Sequence, residues 1–147
     1  TACRRQRQMC IRDRDGSKLM IKKAKKIDKK NKYFHGDLNT WIPKKKVDVV
    51  MSMEVFYYFE DPKSLISKIY HEWLNPGGQL VIGLDFYFEN PDCHNWQKQT
   101  GISIMKLLKI NDWIKLFKKT GFKEVNKYQF CQNKSWMGTL VIQGIKI

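Results

Sequence analysis

After Arg14 the chain contains no arginine at all, although it carries 28 Lys and Arg among its 147 residues. It also lacks any apolar run near the roughly 20 residues that a membrane-spanning helix needs, so no membrane partner is expected. Acidic residues are scarce, 14 in number, which leaves a net charge of +14. The four cysteines are Cys3, Cys10, Cys93 and Cys131. They are too few and too scattered for a disulfide framework. A reducing, cytoplasmic location fits them. The first residue is not Met, so the lack of a signal peptide carries no weight. No internal repeat and no low-complexity stretch is present.

What is present is a globular composition. Hydrophobic residues make up 42% and aromatics 13% of the chain, enough for one core at this length. The arginines are confined to Arg4, Arg5, Arg7, Arg12 and Arg14. From there on the basic residues are all Lys, in company with many Ile, Asn, Phe and Tyr, the amino acids of A/T-rich codons. The stretch Arg4 to Arg14 resembles the translation of a transposase adapter used in sequencing libraries. Residues 1–14 are therefore expected to be non-native, and residues 15–147 to form the domain. Setting aside five Arg and Asp13 lowers the net charge by four, to +10.

Hydrophobic periodicity organises the remainder. Ser17 to Asn31 predicts a helix, N-capped by Ser17, with Leu19, Met20, Ala24 and Ile27 on one side and lysines elsewhere. Tyr33 to His35 is a short strand. Val47 to Met53 is a near-continuous apolar run, the pattern of a strand buried on both faces of a parallel sheet. Asp61-Pro62 opens a helix to about Leu74, and Asn75-Pro76-Gly77-Gly78 stops it. Leu80 to Leu84 is a second buried strand. Phe86 to Gly101 reads as loop. Ile110 to Thr120 is an amphipathic helix with Trp113, Ile114 and Phe117 inward, closed by Gly121. Phe122 to Phe130 and Met137 to Ile145 pair as a hairpin through Lys134 to Trp136. The alternation predicts an α/β doubly wound sheet with a C-terminal antiparallel hairpin.

In such sheets ligands lie beyond the carboxyl ends of the parallel strands. The residues there are Asp37, then Ser52, Glu54, Tyr57 and Tyr58, then Asp85, Phe86 and Tyr87. Each acid or serine alone also reads as a helix cap. Together they form a rim of acids and aromatics, suited to a small cationic or hydroxyl-bearing ligand. The aromatic stretch Phe86 to Trp96 reads as a substrate lid or as loop packing. His94 beside Cys93 and Asp92 lacks the ligand spacing of a zinc site, and no metal is expected. The clusters Lys22 to Lys32 and Lys44 to Lys46 read as solvated faces.

Several segments, in order, resemble class I S-adenosylmethionine-dependent methyltransferases. Asp15-Gly16-Ser17-Lys18-Leu19-Met20-Ile21 is similar to the Asp-x-Ser-x-x-Met-Ile segment after their second strand. Gly36-Asp37-Leu38 resembles the acidic corner after the third. Val47 to Val55 resembles the fourth strand, followed by Tyr57-Tyr58 and Asp61-Pro62. Leu74-Asn75-Pro76-Gly77-Gly78-Gln79-Leu80 resembles the Pro-Gly-Gly turn into the fifth, and Thr120-Gly121-Phe122 the entry to the sixth. The resemblance implies a Rossmann-like methyltransferase fold, with S-adenosyl-L-methionine as cofactor and a small-molecule acceptor. Asp15 would hold the ribose hydroxyls, Asp37 the adenine amine, and Leu38 would pack on the ring. Ser52 and Met53 would lie near the reactive methyl. Glu54, Tyr57, Tyr58, Asp85, Phe86 and Tyr87 would face the acceptor, with Trp96 in its aromatic wall, and Glu54 or a tyrosine could remove a proton. The family's glycine-rich loop has no counterpart. The first strand, its helix and the second strand are expected to be missing, and the chain as it stands to be inactive.

Two other functions stay open. The positive charge suits an RNA methyltransferase. Yet Ser52-Met53-Glu54-Val55 matches neither the Asn-Pro-Pro-Tyr motif nor the paired cysteines of base-modifying members, so nucleic acid is not the expected partner. A non-catalytic binding module is the other alternative.

Overall fold

A computed structural model of the chain describes residues 12–147, which fall in two compact units, one up to Ile42 and one from Pro43 to Ile147. The expectation for residues 1–14 therefore lies, up to Ile11, outside the described residues.

The first unit is a strand-helix-strand. Strand β1, Arg12–Asp15, pairs in parallel with β2, Lys32–His35, with Asp15 opposite His35. A strand thus precedes the Asp15 corner, where none was expected. Between them runs α1, Lys18–Ile27. Ser17 Oγ accepts the Met20 N–H at 3.3 Å, as the sequence predicted for its cap. Ile21 is the buried residue of this helix, and Lys25 and Lys26 lie in its last turn, where the helix dipole favours cations. Leu19, Met20 and Ile27 are exposed, so the expected apolar face is mostly uncovered. The helix ends at Asp28, five residues short of Tyr33. The Asp28 carboxylate accepts from the Lys30 N–H, the Asn31 amide and the Tyr33 hydroxyl, and these bonds lower its pKa to about 2.

The second unit is a four-stranded sheet in the order β3-β4-β6-β5. Strand β3, Val47–Met53, is parallel to β4, Leu74–Leu84. β5, Lys123–Phe130, and β6, Thr139–Ile145, form the antiparallel hairpin, and β6 pairs with β4. The crossover from β3 to β4 carries α2, Pro62–Lys68, which Asp61 caps by accepting the Ser64 N–H. This helix widens into a π-turn, Ile69–Trp73, and then becomes strand at Leu74. The Asn75 to Gly78 segment is thus an irregularity inside the β3–β4 ladder and not a simple stop. Two glycines allow it: Gly77 has φ +77°, and a Cβ on Gly78 would lie 2.8 Å from the Asn75 carbonyl. Lys146 Nζ donates to the carbonyls of Tyr70 and Leu74 at 2.6 and 2.9 Å, satisfying groups that the π-turn leaves open.

One face of this sheet is the core. Leu80, Ile82, Leu84, Leu140 and Ile142 are fully buried there. Burying each such side chain contributes roughly 1.5–3 kcal/mol. Pro62, Leu65 and Ile66 of α2 are buried, as are Ile110, Trp113 and Phe117 of α4, Ile110–Thr120. The predicted two-sided burial of β3 does not occur. Val49, Met51 and Met53 are 54%, 70% and 49% exposed, because no helix of this unit lies over that face. Between β4 and α4 the chain makes an excursion that contains a 3-10 turn, Pro91–Cys93, and a five-residue helix α3, Trp96–Thr100. The sequence predicts loop there, and one turn and a half of helix is too short to show a periodicity.

Candidate active site

The parallel strands β3 and β4 end side by side, and their last residues are drawn into one hydrogen-bonded corner. The Glu54 N–H donates to the Gly83 carbonyl at 2.9 Å. Glu54 itself has φ +57°, the left-handed region that a residue with a Cβ enters at a cost of order 1–3 kcal/mol. This twist turns its side chain along the strand ends. One carboxylate oxygen accepts the Asp85 N–H at 2.8 Å and the other accepts the Tyr57 hydroxyl at 2.7 Å. Burial pushes the Glu54 pKa up, the Tyr57 bond opposes that, and the Asp85 charge adds to it. Burial and the Glu54 carboxylate together hold the Tyr57 phenol far above its ordinary range.

Aromatic rings line this corner. Tyr57 and Phe86 are buried, with ring centres 5.2 Å apart. Tyr58 is 42% exposed and lies 4.4 Å from Tyr57. Trp96 stacks on Phe86 at 6.2 Å. The sequence-predicted residues Glu54, Tyr57, Tyr58, Asp85, Phe86 and Trp96 thus come together. Tyr87 is placed differently: it is fully buried, donates its hydroxyl to the Gly138 carbonyl at 2.8 Å and accepts from Gln129. It supports the wall from behind. Ser52 and Met53 point to opposite faces of β3, as successive strand residues must. The Met53 side chain lies against Gly83, where a Cβ would collide with its sulfur.

Sequence reasoning missed Asn90. It is fully buried, and its amide donates to the Asp85 carbonyl at 2.8 Å. The Asn90 and Asp85 Oδ1 atoms are buried without a partner among the described residues. The Asn-Pro pair was a signal for a turn, but not for this contact. Cys93 is buried beneath, its thiol donating to the Asn90 carbonyl at 3.0 Å and its pKa raised by burial. His94 Nε2 lies 2.7 Å from the Phe88 carbonyl. Among the described residues no three His, Cys, Asp or Glu side chains gather as a metal would require.

The excursion from Phe86 is tied back along its length. The Phe88 N–H donates to the Leu108 carbonyl at 2.9 Å, and the Lys106 N–H to the Tyr57 carbonyl at 2.8 Å. Glu89 accepts the Ile110 N–H with both oxygens, at 3.2 and 3.0 Å, at the start of α4, where a carboxylate meets the positive end of the helix dipole. Lys109 Nζ sits 5.1 Å from the Phe88 ring centre, so a cation reaches this aromatic stretch from outside it.

Of the cofactor residues inferred from the resemblance, Ser52 and Met53 lie in the second unit, and Asp15, Asp37 and Leu38 in the first. Asp15 stands at the end of β1 and accepts the Ser17 N–H at 2.6 Å with Oδ1. Asp37 follows β2 and accepts the Asn39 N–H at 2.8 Å, also with Oδ1. Leu38 is half-buried. Each acid thus spends one oxygen on its own turn.

Comparison with known proteins bears on this arrangement. A methyltransferase partner of the Trm112 activator from Haloferax volcanii has the same fold, with a TM-score of 0.76 and 24% identity over 90% of this chain and 70% of its own. A Thermotoga maritima methyltransferase described as a possible histamine N-methyltransferase gives 0.72 at 18% identity, over 93% and 73%. The N-methyltransferase NodS of Bradyrhizobium japonicum, solved with S-adenosyl-L-homocysteine, gives 0.68 at 20% identity, over 90% and 64%. No curated protein matches. The sequence profile of the methyltransferase domain matches residues 5–82, more than half of the chain. The strand order, the acidic strand ends and that match agree, and the chain belongs to the S-adenosylmethionine-dependent methyltransferase family.

Proposed function

We propose that this chain binds S-adenosyl-L-methionine and serves methyl transfer to a small-molecule acceptor. The observation that carries the reading is the corner at the ends of β3 and β4. There Glu54 and Asp85 meet the rings of Tyr57, Tyr58, Phe86 and Trp96. Aromatic walls with a few placed polar groups suit small ligands. The segment 85–96 itself holds three acids and neither Lys nor Arg, which opposes phosphate.

The residues present fit the cofactor. Asp15 and Asp37 each keep a carboxylate oxygen beyond the one bonded in the turn. Asp15 would hold ribose hydroxyls, Asp37 the adenine amine, and Leu38 would lie against the ring. Ser52 and Met53 would border the methionine end. The bound cofactor supplies an electrophilic methyl group. The protein's part is to align the acceptor with it and to exclude water behind the aromatic wall.

The test is to incubate the purified protein with methyl-labelled cofactor and separated fractions of host extract. Label should enter the small-molecule fraction. Label in RNA instead would overturn the acceptor class. For the cofactor residues, Asp15→Ala should weaken cofactor binding by roughly 1–3 kcal/mol, the cost of hydrogen bonds to a charged group. Unchanged affinity by calorimetry would remove Asp15 from the site.

A further inference from the structure

We propose that Glu54 is a positioning residue that latches the acceptor wall, and is not the proton acceptor. The inference rests on the reading that the acceptor meets the ends of β3 and β4. Both Glu54 oxygens are engaged, one by the Asp85 N–H and one by the Tyr57 hydroxyl. Tyr57 donates its hydroxyl hydrogen bond to Glu54 and is held far from ionisation. Glu54 and Tyr57 are thus each held in place, by one another and by the end of β4.

What the pair does instead is join three parts of the chain. Glu54 fixes the end of β4 through the Asp85 N–H. It fixes Tyr57 through the hydroxyl. The Tyr57 carbonyl in turn receives the Lys106 N–H at 2.8 Å, on the returning limb of the excursion. That limb also receives Phe88 through the Leu108 carbonyl, and Gln97 donates to the Met105 carbonyl at 3.0 Å. Phe86 and Trp96, the stacked rings of the wall, lie on the outgoing limb. One carboxylate therefore sets the wall's start, and through Tyr57 its return. The left-handed backbone at Glu54 is the strain accepted to aim that carboxylate.

The test is residue-resolved amide exchange by NMR on the full chain, with Glu54→Ala, Glu54→Gln and Tyr57→Phe. Glu54→Ala should speed exchange at Asp85 and Lys106 at least tenfold, and leave 139–145 within twofold. Tyr57→Phe should speed Lys106 but not Asp85, whose N–H still meets Glu54. Glu54→Gln keeps one acceptor oxygen and should protect Asp85. A merely structural role would loosen 139–145 along with the corner, and that result would overturn the latch. So would an unmoved Lys106 in Tyr57→Phe, which decides the matter if Glu54→Ala does not fold.

Methyl transfer gives a second readout, in the small-molecule fraction that accepts label. Glu54→Ala should raise the half-saturating amount at least tenfold, with a smaller change in maximal rate. A hundredfold loss of maximal rate in Glu54→Gln, at unmoved half-saturation, would make Glu54 the proton acceptor and overturn the proposal. If no small-molecule fraction accepts label, the proposed function fails while the exchange pattern still decides the latch.

Discussion

The two faces of the four-stranded sheet are made by the same strands and have opposite fates. Leu80, Ile82, Leu84, Leu140 and Ile142 point one way and are fully buried. Val49, Met51, Met53, Tyr128 and Phe130 point the other way and are each 45% exposed or more. The residues differ little in kind; what differs is whether a helix lies over them. A strand that is apolar on both sides is suited to two-sided burial, yet one covered face holds this sheet. The uncovered face contributes little to the stability of the unit, however apolar it is.

That contrast can be broken from the buried side, where the largest effect lies. Ile82→Ala removes a fully buried side chain opposite Ile142. The cost should be about 2–5 kcal/mol, from lost transfer energy and the cavity left behind. Urea denaturation of the purified protein measures it. A cost below about 1 kcal/mol would mean that the two faces are not as different as their exposure says.

The corner at the strand ends gives a sharper probe, because it responds to pH. Burial raises the pKa of Glu54, so the folded chain favours its protonated form. The resulting stability is fully present below the ordinary glutamate range. It is lost as the pH rises through the raised value. Glu54→Gln has no such titration. The stability of the wild-type protein relative to Glu54→Gln should therefore fall as the pH rises above the ordinary glutamate range, whatever the other acids do. A difference that is flat, or that grows with pH, would show that the Asp85 and Tyr57 bonds outweigh burial.

Much of this was legible in the sequence. The apolar run from Val47 to Met53, the Pro-Gly-Gly turn and the hairpin each carried a local signal. The ends of parallel strands meet by topology, so Glu54 and Asp85 could be placed near one another. The open face was not legible, because apolar spacing shows what could be buried and not what lies over it. Nor was the role of Glu89. Its carboxylate accepts from the N–H of Ile110, 21 residues away. Tyr87 reads as a site residue and is instead fixed to the hairpin, a contact that no periodicity encodes. Strand β1, Arg12–Asp15, spans the boundary expected at residue 14.

The smallest expected effect tests the open face itself. Met51 is 70% exposed, in the middle of β3, which lies at the edge of its sheet. Met51→Lys places a charge among Val49, Met53 and Val81. If that face meets water, the charge stays solvated and the long lysine stem still covers its neighbours. Surface changes of this kind shift stability by no more than about 0.5 kcal/mol. A lysine on an exposed edge strand should also oppose edge-to-edge association. Urea midpoints and light scattering together check this: the midpoint should stay, and scattering at high concentration should fall. A loss of more than about 2 kcal/mol would mean that the face is covered in solution, since burying an unpaired ammonium costs several kcal/mol. The contrast between the two faces would then be void, and Val49, Met51 and Met53 would count as core.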